Sequence, residues 1–514
     1  MKRPFIYSLA LALVLIGPAS WASAPRCDSI FLPSVWSENG GKPFPDDLIS
    51  LQKIAHEQRE AVKVSDFLMT EMRAQSQALK SQYKNKIVEL DVLCLGAGPQ
   101  CAAASLVLRN TKLRTLVVEK TDLVAKTFAE KDFYINSLEA SRVSMHDFPG
   151  GHGSLAHFTS QGYAHSSQLA AHIQSQQYAS KVPVLLKTEI VAVKKVQDGG
   201  RTVLEVLTQD GLTFRTKNLL LGTGLGEVGT KVKDGGYQKD FAHFLTSHEA
   251  QKDSLQPIMS TDAFLVSLKE NRLKNQNVRV PREIILIGNG DGSRIAVEAL
   301  NDKHVTLPEG FKIHWIGNNF KTAEEYVASQ SGWDRYIDKI VPHYQKGRVT
   351  GVPGHVEKVE VLPSGRYLVT VKDAKNNIVS QAEGDMIVDS TGYTNLNGKL
   401  LTDAVTTPEL VDVVGPLKEL GLTETVLARQ FQEVGGEKLP IYAVGPAAGN
   451  LAKETELVNS PNKNPVAIFN TVARTSQFVS QLFGVKALES RRGDRDERPP
   501  TKSAAQIIES LKGI

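Results

Sequence analysis

The same plan occurs twice along this chain, and that repetition constrains the fold more than any other feature. The first copy opens with VELDVLCLGAGPQCAAASLVL: an apolar strand through Leu95, a tight Gly96-Ala97-Gly98 turn and an alanine-rich helix. A second strand runs from Thr115 to Val118 and ends in Glu119. VLEVLTQDGLTFRTKNLLLGTG then reads as strands turned at Asp210-Gly211 and a buried strand, Leu219 to Leu221, that closes on Gly222-Thr223-Gly224. The second copy opens with PREIILIGNGDGSRIAVEAL, has its second strand in IHWIG, and closes through KVEVLPSGRYLVTV into MIVDSTG. Two strand-turn-helix units with matching tails imply two nucleotide domains in an α/β architecture, each a parallel sheet with a β-meander.

The sequence around this core reads differently. Lys2 and Arg3 precede an apolar run from Ile6 to Ile16, then Gly17, Pro18 and small residues ending Ala22-Ser23-Ala24, the layout of a secretory signal over residues 1–24. The run is too short to span a bilayer, so export to a periplasm or outside the cell is expected, with no stable membrane span after cleavage. Residues 25–88 form an N-terminal extension, helical from Asp46 to about Tyr83, that caps the core or joins two copies into a homodimer. Residues 485–514 form a charged tail, and the mixed-charge stretch RRGDRDERPP within it is expected to be solvated. With 60 basic and 56 acidic side chains the net charge is +4, without a dominating basic block. Nothing there calls for nucleic acid or acidic lipid, and a small molecule is the expected partner.

Each glycine of such a turn has a separate job. The first makes the tight turn, the second lets a diphosphate approach the backbone, and the third allows close helix-strand packing. Here the third position holds Cys101 in one copy and Ser293 in the other, both small enough to serve. The free amides and positive dipole end of the helix then hold the diphosphate without a dedicated cation. Glu119, roughly 20 residues beyond Gly96, stands where a carboxylate accepts from ribose hydroxyls. The second copy lacks that acid. Its strand ends Ile316-Gly317-Asn318-Asn319-Phe320-Lys321, and Asn318 with Lys321 suits a 2'-phosphate, so NADPH is favoured over NADH.

The ordered motifs DVLCLGAGPQC with Glu119, LLLGTG, IGNGDGS, IVDSTGY and IYAVGPAAGN resemble the flavoproteins with two dinucleotide-binding domains, among them thioredoxin reductases and flavin monooxygenases. The resemblance covers residues 89 to about 483. It implies two Rossmann-like domains, an FAD domain over 89–270 and 381–484 interrupted by an NAD(P)H domain over 271–380. It further implies that FAD lies against Gly96, Gly98, Pro99, Gln100, Cys101, Glu119, Lys120, Gly224, Gly445 and Pro446, with adenine on the backbone at Ile190. The nicotinamide cofactor would lie against Gly288, Gly290, Asp291, Ser293, Asn318, Lys321 and Gly392. Pro446 replaces the aspartate usual there, removing one hydrogen bond to FAD. By the same resemblance FYINSLEAS and DFPGGHGSLAHF lie near the flavin ring, as does the helix starting at Asn464-Pro465.

Absences narrow the chemistry. The three cysteines contain no CxxC-type pair, and Cys94 inside a strand with Cys101 opening a helix reads as packing rather than a redox couple. The Phe-x-Gly-x-x-x-His fingerprint of Baeyer-Villiger enzymes is missing between Gly224 and Pro281. His146, His152, His157, His165 and His172 crowd one segment without metal-site spacing, so no metal is expected; His152 or His157 reads as a solvated loop residue, the alternative being a proton donor. No catalytic residue can be named. The reading is an exported FAD-dependent oxidoreductase that takes hydride from NAD(P)H and passes electrons directly to a small acceptor or dioxygen. The alternatives are an N- or S-oxygenating monooxygenase, which needs a sheltered flavin and a narrow pocket, and a flavin-binding protein without turnover.

Overall fold

The computed structural model describes residues 48–130, 148–160, 164–224, 227–228, 258–274, 277–288, 290–301, 305–317, 320, 322–329, 337–373, 375–391, 393–394, 409–415, 425–433, 436–445, 447, 468–486, 488 and 500–514. The signal segment, Cys27, His146, FYINSLEAS, Asn464 and Pro465 lie outside these residues.

A long helix α1 (Leu48–Tyr83) leads into strand β1 (Ile87–Leu90) and then β2 (Val92–Leu95). After β2 come helix α2 (Pro99–Leu108), β3 (Thr115–Val118), the short α3 (Lys126–Ala129), α4 (Ser166–Ala179) and β4 (Val184–Leu185). The first copy ends with β5 (Ile190–Asp198), β6 (Arg201–Thr208), β7 (Thr213–Thr216) and β8 (Leu219–Leu221). β4, β3, β2 and β8 lie side by side and parallel, joined on the β8 edge by the parallel strand Lys438–Val444. Two antiparallel strands, Thr425–Gln432 and Glu409–Gly415, complete a seven-stranded sheet.

Both faces of this sheet are covered, which is why β2 reads VLCL and is buried at every position. Alternation sorts its side chains. Val92 and Cys94 join Leu220, Val444 and the helices α1, α2, α4 and Ile468–Leu482, while Leu93 and Leu95 join Leu219, Ile441 and the meander residues Val193, Val206 and Phe214. The second copy repeats this layering. Strands Ile258–Ser260, Met386–Asp389, Glu283–Ile287, Lys312–Ile316 and Val349–Val352 form a parallel sheet in that order. The helices Thr261–Lys274, Asp291–Ala299, Ala323–Ser329 and Ile337–Gln345 lie on one face, and the antiparallel meander His355–Val361, Tyr367–Lys372 and Ile378–Gly384 on the other.

Two boundaries differ from expectation. The second domain's sheet takes in Ile258–Ser260 and Met386–Asp389, so that domain reaches beyond 271–380 on both sides. Met386–Asp389 is the MIVD strand that closes the second copy, and it pairs with Glu283–Ile287 inside that domain's sheet. The end of the charged tail is also ordered. Ser503 caps a helix over Ala504–Lys512 that buries Ala504, Ile507 and Leu511 against α1. Glu60 on α1 pairs with Lys63 and accepts from Ala504 N at 2.7 Å, and the Lys63 ammonium first, then the Ala504 amide, hold its carboxyl below the usual range. The outer face of α1 is polar, with Lys53, Arg59, Lys63, Thr70 and Glu71 exposed, so the helix serves here as a cover for α4.

Candidate cofactor sites

The carboxyl ends of β2, β3, β8 and Lys438–Val444 converge at the first turn. Gly96 has φ +92°, and a Cβ placed on it would lie 2.9 Å from Gly222 O. Only glycine fits there. Gly98 is the opposite case: it caps α2 with extended backbone, and the nearest atom to its added Cβ would be 3.9 Å away. The first glycine is crowded against protein and the second is not, its nearest neighbours lying at ordinary contact distance, as a turn that receives a diphosphate requires. Pro99 takes the first helical position, where its missing N–H costs nothing, and no side chain caps the remaining amides of α2.

Glu119 leaves the end of β3 and turns back to the loop. Its Oε2 accepts from Ala97 N at 2.8 Å, while Oε1 accepts from Thr121 N at 2.9 Å and Thr121 Oγ1 at 2.8 Å. The carboxylate thereby ties the turn to the next strand and keeps acceptor capacity for ribose hydroxyls. The segment leading to Ile190 runs beside it, since Thr188 N donates to Glu119 O and Lys187 N to Thr121 O, so Ile190 opens β5 where the adenine contact is expected. Lys120 is exposed on the same rim. Across the turn Gln100 is buried, and its side chain covers Gly445, whose φ is +62° and whose added Cβ would strike Gln100 Cγ at 2.4 Å. Gly224 has φ +71° with open space around it. Gly96, Gly98, Pro99, Gln100, Cys101, Glu119 and Gly445 therefore share one site, while Pro446 lies outside the described residues.

The cysteine reading needs correction. Cys94 and Cys101 are bonded as a disulfide, with Cα atoms 6.0 Å apart. Cys94 points to the helix side of the sheet and Cys101 sits at the third-glycine position, the point of closest helix-strand approach. The clue in the sequence was the pairing of a strand cysteine on the helix face with a cysteine at that position. Both are buried, beneath the turn and away from solvent. Spacing rules for redox motifs missed them because the bridge spans the turn itself.

The second turn repeats the logic with other means. Gly288 has φ +120°, and its added Cβ would meet Ser390 O at 2.4 Å; Gly290 caps Asp291–Ala299 with nothing within 4 Å. Gly288 O accepts from Ser293 Oγ at 2.8 Å and from Trp315 Nε1 at 2.6 Å. Trp315 was not anticipated; an indole in the strand beside the turn is the available signal. Gly317, φ +89°, closes the neighbouring strand against Gly288. Asp389 accepts from Thr391 N and Oγ1, and burial pushes its carboxyl above the usual range. Asp291 opens the helix, its side chain undescribed; Asn318, Lys321 and Gly392 lie outside the described residues.

The described histidines of this segment make packing and capping contacts. His165 caps α4 through Nδ1, and His172 lies between the rings of Phe148 and Phe158. His157 Nδ1 accepts from Ser154 N, and His152 Nε2 lies 3.2 Å from Ser510 Oγ of the C-terminal helix. Gln176 clasps the His152 backbone from both sides, accepting from its N at 2.7 Å and donating to its O at 2.8 Å. Both loop histidines are thus partly buried in the packing against the C-terminal segment rather than solvated. Among the described residues no group of three or more His, Cys, Asp or Glu is placed to hold a metal ion, and no helix is long and apolar enough to cross a membrane.

No family model matches the sequence, and no curated protein matches it. Solved structures do match in shape. The ornithine N-hydroxylase of Kutzneria sp. 744, in a structure titled with reduced FAD, NADP+ and L-ornithine, is 14% identical and covers 77% of this chain and 99% of its own, with a TM-score of 0.50. The chain has the fold of the flavoproteins with two dinucleotide-binding domains. A bacillithiol disulfide reductase from Staphylococcus aureus, 11% identical with the same coverages and a TM-score of 0.49, and a thioredoxin reductase from T. acidophilum, 14% identical with the same coverages and a TM-score of 0.43, also match.

Proposed function

We propose that this chain is an FAD-dependent oxidoreductase that takes hydride from NADPH, with NADH less favoured, and passes electrons from the flavin directly to a small acceptor or dioxygen. The observation that carries the reading is the matched pair of turns: in each the first glycine is crowded and left-handed or nearly so, while the second, at a helix start, is uncrowded, with only ordinary contacts at Gly98 and nothing within 4 Å of Gly290 among the described residues. Glu119 beside the first turn fits the ribose of a tightly held FAD. When bound, the flavin supplies the two-electron chemistry, and the chain's own residues grip and orient the two nucleotides.

Burial supports direct transfer. The Cys94–Cys101 pair lies under the turn, both residues almost fully inaccessible, so a disulfide substrate has no path to it. The leader-like start and a buried disulfide both suit an oxidising exported compartment, the periplasm or beyond. The test is the visible spectrum of purified full-length protein with and without NADPH, in the absence of oxygen. Bleaching of a bound flavin band supports the reading, and a colourless protein that ignores added FAD overturns it. When dioxygen and an amine or thioether are then admitted to the reduced protein, appearance of a hydroxylated amine or oxygenated thioether, rather than simple acceptor reduction, would move the protein to the oxygenating class. A flavin that stays unbleached would leave a flavin-binding protein without turnover.

A further inference from the structure

The disulfide occupies an unusual place for a structural bridge. Cys94 is in the middle of β2, hydrogen-bonded in parallel to β3 on one side and β8 on the other. Cys101 is in the first turn of α2, so the bond closes a ring around Leu95 to Gln100, the segment that contains Gly96, Ala97 and Gly98. Every backbone group offered to a diphosphate at this turn belongs to that ring or to the helix end it anchors. The bridge has little slack around it: a Cβ on Gly222 would lie 2.6 Å from Cys101 Sγ, and Cys101 is 0% and Cys94 2% exposed. Two thiols in that space need ordinary nonbonded separation, roughly 3.5 to 4 Å, which a bonded pair does not. The sheet cannot yield, because β2 is held on both edges. The start of α2 is what must move, and with it the amides that face the open side of the turn.

We propose that the Cys94–Cys101 disulfide is a redox lock on the first dinucleotide turn, with the oxidised chain competent to hold FAD and the dithiol chain impaired. The proposal rests on the FAD reading above. Closure is a thiol-disulfide exchange with a low-molecular-weight disulfide: one cysteine thiolate attacks it and expels one thiol, and the second cysteine attacks the mixed disulfide and expels the other. Two S–H bonds and one external S–S bond are lost; one protein S–S bond and two external thiols are formed. Because both sulfurs are buried in the finished fold, exchange must occur before the turn closes or when it opens. A chain that stays in a reducing compartment would then remain without its flavin until it meets an oxidant.

Thiol counting and flavin retention test this on the full-length protein. Denatured without reductant, Cys94 and Cys101 should resist iodoacetamide, and both should alkylate after a phosphine reductant. Refolded as the dithiol, the parent should bind FAD at least about tenfold more weakly than the oxidised parent, and oxidised glutathione should restore binding. Cys94→Ala/Cys101→Gly, which returns a glycine to the third position and removes both thiols, separates the crowding from a general need for the bridge: it should fold by circular dichroism, bind FAD within about twofold of the oxidised parent because nothing pushes the start of α2 away, and ignore reductant and oxidised glutathione alike. Immediate alkylation of both cysteines in native-source protein overturns the proposal, as does dithiol parent that binds FAD within about twofold of the oxidised form. If the double variant fails to fold, the oxidised and dithiol parent alone decide. Oxidised parent that carries the bridge yet binds no FAD would instead defeat the functional reading.

Discussion

The two turns solve one geometric problem by different chemistry. In the first domain the third position is a cysteine bonded to the strand, and a carboxylate from the neighbouring strand holds the turn through Ala97 N. In the second it is a serine that donates to Gly288 O, assisted by the Trp315 indole, and no carboxylate enters among the described residues. A covalent tie and a fixed anion suit a nucleotide that stays. Two neutral hydrogen bonds, each worth about 1 kcal/mol net, suit one that arrives and leaves. On the proposed reading, the difference would put residence time in the turn's supporting chemistry, since the first glycine is crowded and the second uncrowded in both.

The largest expected effect separates the glycines. Gly96→Val puts a β-branched side chain at φ +92° and into Gly222 O, so bound FAD should be lost and the protein destabilised by more than about 3 kcal/mol. Gly290→Val enters open space. It should retain FAD while anaerobic reduction by NADPH falls at least about a hundredfold, roughly 2.7 kcal/mol of lost stabilisation. Reduction of Gly290→Val at the parent rate would show that the second turn does not receive the nicotinamide cofactor.

Acid should also distinguish the domains. His343, in the second domain, is buried with Nε2 3.0 Å from Asn301 Oδ1, and burial lowers its pKa to about 4. The unfolded chain takes up the proton more readily than the folded one, so the stabilisation is present above about pH 6.5 and is lost as pH falls towards 4. The full loss is about 3 kcal/mol. Denaturant midpoints followed by tryptophan emission should fall between pH 7 and 5 in the parent and much less in His343→Gln. Equal pH dependence in both would remove His343 as the cause.

These contrasts show what the sequence made legible. The repeated strand-turn-helix plan placed both parallel sheets and both meanders, because period-two alternation and glycine turns are local signals. Gly96, Gly98 and Glu119 lie at the first turn and Gly288, Gly290 and Ser293 at the second. The disulfide, the Gln100 cover over Gly445 and the Trp315 bond to Gly288 were less legible, since each depends on which face of a strand or helix meets another element. The C-terminal helix was hidden by its charged neighbours: Ile507 and Leu511 gain meaning only once α1 offers them a face.

Glu119→Ala should weaken FAD by about 1 to 3 kcal/mol, because it removes a charged acceptor from Ala97 N and Thr121 N together. Titration of the apoprotein with FAD measures it. The same change in a turn held only by neutral bonds would cost less, so a loss below about 0.5 kcal/mol would erase the distinction drawn between the two sites.

The smallest effect belongs to Ser293→Ala. Its hydroxyl is one of two donors to Gly288 O, and the Trp315 indole remains when it is removed, so the carbonyl is never left unsatisfied. That limits the loss to about 1 kcal/mol, or about fivefold in NADPH affinity. Because the serine supports the turn without reaching the reacting atoms, the NADPH concentration for half-maximal anaerobic reduction should rise while the limiting rate holds, and FAD content should not change. Trp315→Phe removes the other donor and should act similarly. The double change strips Gly288 O of both, leaves a half-buried carbonyl without either side-chain donor, and should exceed the sum of the single losses by about 1 kcal/mol. Strict additivity would mean that the two bonds do not share the task of holding this turn, and the second site would then owe its shape to Gly288 and Ser390 packing alone.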